Sequence, residues 1–238
     1  MSDKPLPVPP SANKGPLSWP DVITRIEPLI YRVHAADSMG TAFVIGRSRS
    51  DGGRHTMLVT ALHVVEDVLG NELPLDLVNR DGVQISTLTA DAVRLYPVGP
   101  PECDTALIEI PTREPLLPED ALLPMPFETM LPRGAELGWL GFPGLVRPEL
   151  CFFRGVVSGF QEEPPLYLVD GVAINGVSGG PAFDQSGLVV GFISAYVPNQ
   201  VATGRTLPGL MIVTPLNLVR LWMQEMFGAD VRFRTPTR

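Results

Sequence analysis

Short runs of β-branched, aromatic and aliphatic residues recur along this chain, and most are bounded by glycine, proline, asparagine or aspartate. They include "IYRVHAA", "GTAFVIG", "HTMLVTAL", "LDLVNRDG", "TALIEIP", "AELGWLGF", "ELCFFRGVVSGF", "LYLVDGVA" and "GLVVGFISAYV". Branching at Cβ stiffens a side chain and suits it to a pleated surface, while the bounding residues supply turn geometry. This punctuation predicts an all-β barrel or sandwich. A length of 238 residues fits one large domain of that kind or two small ones. No repeat of the solenoid type is visible.

The segments between and beyond the runs differ in kind. Prolines at 5, 7, 9, 10, 16 and 20 predict an extended tail over residues 1–20, read as a linker rather than a polyproline ligand for want of flanking recognition chemistry. The proline-rich "TREPLLPEDALLPMPFETMLPRG" reads as a connection that divides the strands into an earlier and a later group. At the far end, "TPLNLVRLWMQEMFG" predicts a helix with Thr214 as N-cap, Pro215 in its first position and Gly228 just beyond it. Leu218, Leu221, Trp222, Met226 and Phe227 are its expected apolar stripe, packed on the β structure.

Composition narrows the function classes. With 18 basic and 26 acidic residues the formal charge is −8, which opposes general attraction to nucleic acid or to an anionic membrane. The start lacks the basic-then-apolar pattern of a secretory signal, and no apolar run is long enough to span a bilayer, so a soluble cytoplasmic protein is expected. Cys103 and Cys151 are too few for a disulfide framework, although a single bridge between them stays open. His34, His55 and His63 make no zinc pattern with them, so no metal and no cofactor is expected.

Chemistry concentrates in "INGVSGGPAF", where Ser178 stands among Gly176, Gly179 and Gly180 and ahead of Pro181. So much glycine implies backbone held in shapes that other residues resist. A glycine-rich hairpin loop is the plain reading, and a shaped nucleophile is the functional one. A serine hydroxyl needs a base within hydrogen-bond reach, and preferably a carboxylate to orient that base. His63 ends the apolar run of "LVTALHVV" and Asp104 opens the strand of "PECDTALIEI". Each alone reads equally as a structural residue; their joint occurrence in the order His, Asp, Ser, each at a strand edge, favours chemistry.

Together, "TALH" at 60–63, "DTAL" at 104–107 and "GVSGGP" at 176–181 resemble the three signature segments of the chymotrypsin-like, or trypsin-like, serine proteases, with the bacterial HtrA type nearest in flavour. The likeness runs over about residues 29–215. It implies two antiparallel six-stranded β-barrels with the active site in the crevice between them, followed by a C-terminal α-helix. The expected division is a tail over 1–20, a first barrel over 21–125 carrying His63 and Asp104, a second over 126–214 carrying Ser178, and the helix and its tail over 215–238. By the same likeness Ser178 is the nucleophile, His63 the general base and then acid, and Asp104 the group that orients the imidazole. The N–H groups of Gly176 and Ser178 would form an oxyanion hole.

Departures from the pattern carry expectations of their own. Val64 stands where secreted trypsins have a cysteine, and Val177 where they have the aspartate that pairs with a freed amino terminus, so activation by cleavage is not expected. The residues after the helix leave no room for a PDZ domain, which implies a stand-alone protease domain. Family position places the substrate pocket near Val172, Ile193, Ser194, Ala195 and Tyr196, none of them acidic, and implies an apolar side chain before the cut. The expected partner is a protein or peptide substrate, with a regulatory protein partner left open. The competing reading is a catalytically silent protease fold kept for peptide binding.

Overall fold

The computed structural model describes residues 17–35, 37–50, 53–68, 73–88, 94–112, 130–144, 149–200 and 206–228. Thirteen strands are present among them, in two antiparallel groups. The first comprises β1 (Ile30–Ala35), β2 (Ser38–Ser50), β3 (Gly53–Ala61), β4 (Leu75–Val78), β5 (Gln84–Leu88), β6 (Arg94–Pro97) and β7 (Thr105–Thr112). The second comprises β8 (Glu136–Gly141), β9 (Cys151–Gln161), β10 (Leu166–Asp170), β11 (Pro181–Phe183), β12 (Val189–Gln200) and β13 (Thr206–Pro215). Three helices, α1 (Trp19–Ile26), α2 (Leu62–Val65) and α3 (Leu216–Phe227), complete the framework.

The second group closes into the six-stranded barrel β10-β13-β12-β11-β8-β9. The first is a seven-stranded sheet in the order β5-β4-β1-β2-β3-β7-β6, and among the described residues no ladder joins its two edges. One core unites Phe43, Leu58 and Ile108 of this sheet with Leu140, Phe142, Phe183 and Phe192 of the barrel and Leu216, Val219 and Met223 of α3. The apolar face of the open sheet is therefore covered by the barrel and by α3. A separate core around Trp139, Tyr167, Val177 and Met211 fills the barrel. The architecture is the chymotrypsin-like fold: mostly β, in two packed halves, with a C-terminal helix.

The ends of the chain correct two sequence expectations in detail. The proline-rich tail falls largely outside the described residues, but Trp19 and Pro20 already belong to α1, whose N-cap Ser18 accepts the Asp21 N–H at 3.4 Å. Proline in a first turn costs no hydrogen bond, because that N–H has no partner within the helix. Val22 and Ile26 bury the inner face of α1, and the Trp19 ring meets Phe152 at 5.3 Å and Phe183 at 6.1 Å. Most of the proline-rich connection, residues 113–129, also lies outside the described set.

At the other end α3 begins one residue later than expected, with Pro215 as N-cap. Thr214 stays in β13, fully buried, and its hydroxyl donates to the Cys103 carbonyl at 3.0 Å instead of capping the helix. The buried stripe is Leu216, Val219 and Met223, flanked by Trp222 and Phe227, while Leu221 and Met226 face solvent. Both cysteines are free thiols. Among the described residues no helix is long and apolar enough to cross a membrane.

Candidate active site

Strand register alone brings two of the three singled-out residues together. β3 and β7 are antiparallel, and their last ladder pair is Ala61 with Thr105. The residues just past that pair, His63 on the short α2 and Asp104 before β7, therefore stand side by side. The Asp104 carboxylate accepts twice from His63: Oδ1 from the backbone N–H at 2.9 Å and Oδ2 from Nδ1 at 2.7 Å. A carboxylate can only accept, so Nδ1 carries the proton of that bond and a neutral ring presents Nε2 as a free acceptor. The hydrogen bond and charge of Asp104 raise the His63 pKa above its ordinary value, aided by Glu66 and opposed by partial burial.

Asp104 itself sits in a left-handed conformation, with φ of 47°, at the end of a 3₁₀ turn over Pro101–Cys103. Aspartate tolerates that region better than most residues, and here the surroundings hold it there. The Cys103 carbonyl accepts from two hydroxyls, Thr105 Oγ1 at 2.9 Å and Thr214 Oγ1 at 3.0 Å. The Asp104 carbonyl takes the Leu62 N–H at 2.9 Å, locking the Asp104 turn to the start of α2.

The serine turn is built from backbone instead. The Asn175 carbonyl accepts the Gly144 N–H at 2.8 Å, the Gly176 carbonyl accepts the Thr41 hydroxyl at 2.8 Å, and the Val177 N–H donates to the Ile174 carbonyl at 3.0 Å. The Val177 carbonyl accepts the Gly180 N–H at 2.9 Å, the Ser178 carbonyl accepts the Thr41 N–H at 2.8 Å, and the Gly179 N–H reaches the Ile193 carbonyl at 2.7 Å. Along that stretch two donors have no acceptor among the described residues: the N–H groups of Gly176 and Ser178. Each belongs to a planar trans peptide whose carbonyl is tied, so each N–H points away from its tied carbonyl. Both amides are left available to an acceptor, and neighbouring free amides of this kind can bind an anion.

Glycine is required here on two counts. Gly176 and Gly179 have φ of 93° and 85°, and a Cβ at Gly179 would lie 2.0 Å from the Thr41 carbonyl oxygen and 3.0 Å from the Ala61 nitrogen. The turn is thus pressed onto the ends of the strands that carry His63. A Cβ at Gly40 would meet Val64 Cγ2 at 2.5 Å and the Ser178 carbonyl oxygen at 3.1 Å, so the backbones around 40, 64 and 178 are packed together. Among the described residues the Ser178 hydroxyl makes no hydrogen bond, so the structure joins His63 to Asp104 directly and packs the Ser178 backbone against Gly40 and Thr41, with Val64, the neighbour of His63, on the same glycine.

The expected substrate-binding residues divide by exposure. Val172 is 58% exposed and Ala195 is also exposed, Tyr196 is half-buried with its hydroxyl accepting the Gly209 N–H at 2.5 Å, and Ser194 is buried. The Ile193 side chain lies in the barrel core, and its backbone holds the serine turn by the bond from Gly179 and a second to the Gly180 carbonyl at 2.9 Å. Sequence reasoning passed over Thr41 and Met211, and gave Thr214 to the helix cap. Met211 pairs with Tyr196 across the β12–β13 ladder and is fully buried beside Val213. Among the described residues no group of three His, Cys, Asp or Glu side chains is arranged to hold a metal ion.

Comparison with known proteins agrees with this architecture. The serine endoprotease from Yersinia pestis is similar over 91% of this chain and 69% of its own, with 17% identity and a TM-score of 0.65. The HtrA-type protease AlgW, in a structure with a tripeptide, is similar over 88% of this chain and 64% of its own, with 20% identity and a TM-score of 0.63. The inactive form of the Rv3671c protease is similar over 87% and 93%, with 20% identity and a TM-score of 0.61. No curated protein sequence matches the chain significantly. The family model of the trypsin-like peptidase domain matches residues 40–192, more than half the chain, and the chain belongs to that family.

Proposed function

We propose that this chain is a serine endopeptidase whose nucleophile is Ser178, with His63 as proton carrier and Asp104 as its orienting carboxylate. The observation that carries the reading is the pair of free N–H groups at Gly176 and Ser178, in a turn where every neighbouring backbone group from the Asn175 carbonyl to the Gly179 N–H is engaged.

The reaction follows from the groups present. Ser178 Oγ attacks the substrate carbonyl carbon as its proton passes to His63 Nε2, and the oxygen that gains negative charge settles against the two free amides. Removing one donor of this kind costs about 10² to 10³ in turnover. His63 returns the proton to the leaving amine nitrogen, the C–N bond breaks, and an ester to Ser178 remains. Water then attacks that ester, gives its proton to Nε2, and the proton returns to Ser178 as the acid departs. Asp104 stabilises the imidazolium formed in each half of the cycle and holds Nδ1 as the donor.

Substrate orientation has a place on β12. Beyond Ile193 this strand pairs with β13 on one edge, and among the described residues its other edge has no ladder neighbour. A peptide can add there as an antiparallel strand, with backbone hydrogen bonds for affinity and pockets for alternate side chains. Exposed Val172 and half-buried Ala173 and Tyr196 supply apolar surface nearby, which favours an uncharged apolar residue before the cut. Free Cys103, buried, and free Cys151, half-buried, are compatible with the reducing, cytoplasmic setting proposed for the chain.

The absent hydrogen bond at the Ser178 hydroxyl favours a second reading, a silent peptide-binding fold. In free enzymes such bonds are often long and tighten only with substrate. A fluorophosphonate probe separates the two: labelling of the wild-type chain that vanishes in Ser178→Ala, with peptide turnover falling by about 10⁶, is the result expected of the enzyme. No labelling of the wild type, alongside measurable peptide binding, would establish the silent fold.

A further inference from the structure

The Thr41 side chain lies outside the proton-relay groups, yet this residue bonds the serine turn with both its backbone and its side chain. It is fully buried on β2. Its backbone N–H donates to the Ser178 carbonyl at 2.8 Å, and its carbonyl accepts the Thr60 hydroxyl at 2.8 Å, three residues before His63. Its hydroxyl donates to the Gly176 carbonyl at 2.8 Å and accepts the Phe142 N–H at 3.1 Å. One residue therefore connects the strand leading to the imidazole, the strand end at Phe142, and both carbonyls that flank Val177.

We infer that Thr41 is a positioning residue that sets the oxyanion-binding geometry by fixing the 176–177 peptide. This rests on the reading of Gly176 and Ser178 as oxyanion donors. The two free N–H groups belong to the 175–176 and 177–178 peptides, and the 176–177 unit is the rigid plane between them. Its N–H is held by the Ile174 carbonyl and its carbonyl by the Thr41 hydroxyl, so both ends of the plane are anchored. Without the hydroxyl only one anchor of this plane survives, and its rotation changes the relative aim of the two amides, whose own peptides stay tied at their carbonyls to Gly144 and Gly180. Gly176 has no side chain to resist that rotation.

The hydroxyl has a single proton, and that proton is committed to Gly176. Valine fills the same space without donor or acceptor and leaves the Gly176 carbonyl and the Phe142 N–H unpartnered in a buried place. Serine keeps both functions and loses one methyl group. The contrast isolates hydrogen bonding from packing.

The test is steady-state hydrolysis of an apolar peptide substrate by full-length Thr41→Val, Thr41→Ser and Ser178→Ala, together with binding of a peptide boronate, which forms a tetrahedral anionic adduct on a serine nucleophile. Misplaced donors predict that Thr41→Val lowers kcat by about tenfold to a hundredfold with KM within about twofold, and weakens the boronate by the same factor as kcat/KM. Thr41→Ser should restore kcat to within about threefold. Should Thr41→Val not fold, Thr41→Ala is expected to show the same division between kcat and KM. Ser178-dependent turnover unchanged in the valine variant would overturn this inference and leave the peptidase reading standing. An equal loss that Thr41→Ser fails to rescue would overturn it also, as the sign of a packing role. A wild-type chain with no Ser178-dependent turnover would end both.

Discussion

His63 in the first half is fixed by a side chain, the doubly accepting carboxylate of Asp104, whereas Ser178 in the second half is fixed mostly by backbone bonds, within its turn and to Gly144, Ile193 and Thr41, with the Thr41 hydroxyl as the side-chain contribution. On the proposed function the first arrangement places a base and raises its proton affinity, a task that needs a specific chemical group. The second aims two amides and a hydroxyl, a task that needs an unusual chain path. The two halves should accordingly fail differently under mutation: the sheet half through chemistry with the fold intact, the barrel half through the fold itself.

The largest effect that tests this contrast belongs to Asp104→Asn. The amide preserves the shape but presents a donor on one side, so the imidazole loses its fixed tautomer and the partner for its charged form. Turnover is expected to fall by about 10⁴ while the thermal midpoint moves little. A pH profile adds the sign. In the wild type His63 must be neutral to accept a proton, and its pKa is raised, first by the bond to Asp104, so the acidic limb of kcat/KM should stand above the ordinary imidazole value. In Asp104→Asn both contributions of Asp104 vanish and burial, which lowers the pKa, remains, so the limb should move to lower pH. Stability runs the other way. The raised pKa contributes stability fully below the ordinary imidazole value and loses it as pH rises through the folded value. A limb that does not move would show that the carboxylate leaves the base untuned.

Next in size is Gly179→Ala, the barrel-half counterpart. A methyl at this position would lie 2.0 Å from the Thr41 carbonyl oxygen and 2.5 Å from Thr60 Oγ1, at a backbone φ of 85°. The clash is with backbone that cannot yield, and a loss of about 3 kcal/mol or more in denaturant unfolding is expected. Gly82, in the turn between β4 and β5 of the sheet half, has a similar φ of 77° but nothing within 4 Å. Gly82→Ala should therefore cost only the conformational term of about 1 kcal/mol. Equal losses at the two positions would break the comparison, since the difference between them is the packing of the serine turn alone.

The same contrast explains what could be read from the sequence. His63, Asp104 and Ser178, the groups of the proposed site, stood out because a reactive group must be a particular residue type, and Gly176 and Gly179 because positive φ excludes most others. The strands written as apolar runs between turn residues were visible because both signals are local. β13 was not, since Pro208 and Gly209 interrupt it and its partner β12 alone makes it a strand. The helix α1 went unread behind the proline-rich tail, although Ser18, Pro20 and Asp21 form a local start signal. Thr214 was assigned as a cap because threonine caps helices; its buried bond to the Cys103 carbonyl, 111 residues away, has no local trace. Thr41 in "GTAFVIG" was hidden likewise, as one small polar residue in an apolar run whose partners lie 101 and 135 residues on.

The smallest predicted effect concerns that Thr214 bond, where the two halves meet at the turn of Asp104. The Cys103 carbonyl accepts from Thr105 and from Thr214, so either hydroxyl alone still satisfies it. Thr214→Val should cost about 1 kcal/mol of stability, the net worth of one buried hydrogen bond, and Thr105→Val about the same. With both replaced, the carbonyl is left buried without a donor, and the loss should exceed the sum of the single losses by about 1 kcal/mol in a double-mutant cycle. If the losses simply add, the two hydroxyls serve separate purposes, and the barrel half does not share in holding the carboxylate turn. A positive coupling would instead show that the side-chain clamp on His63 also depends on a strand of the half that carries Ser178.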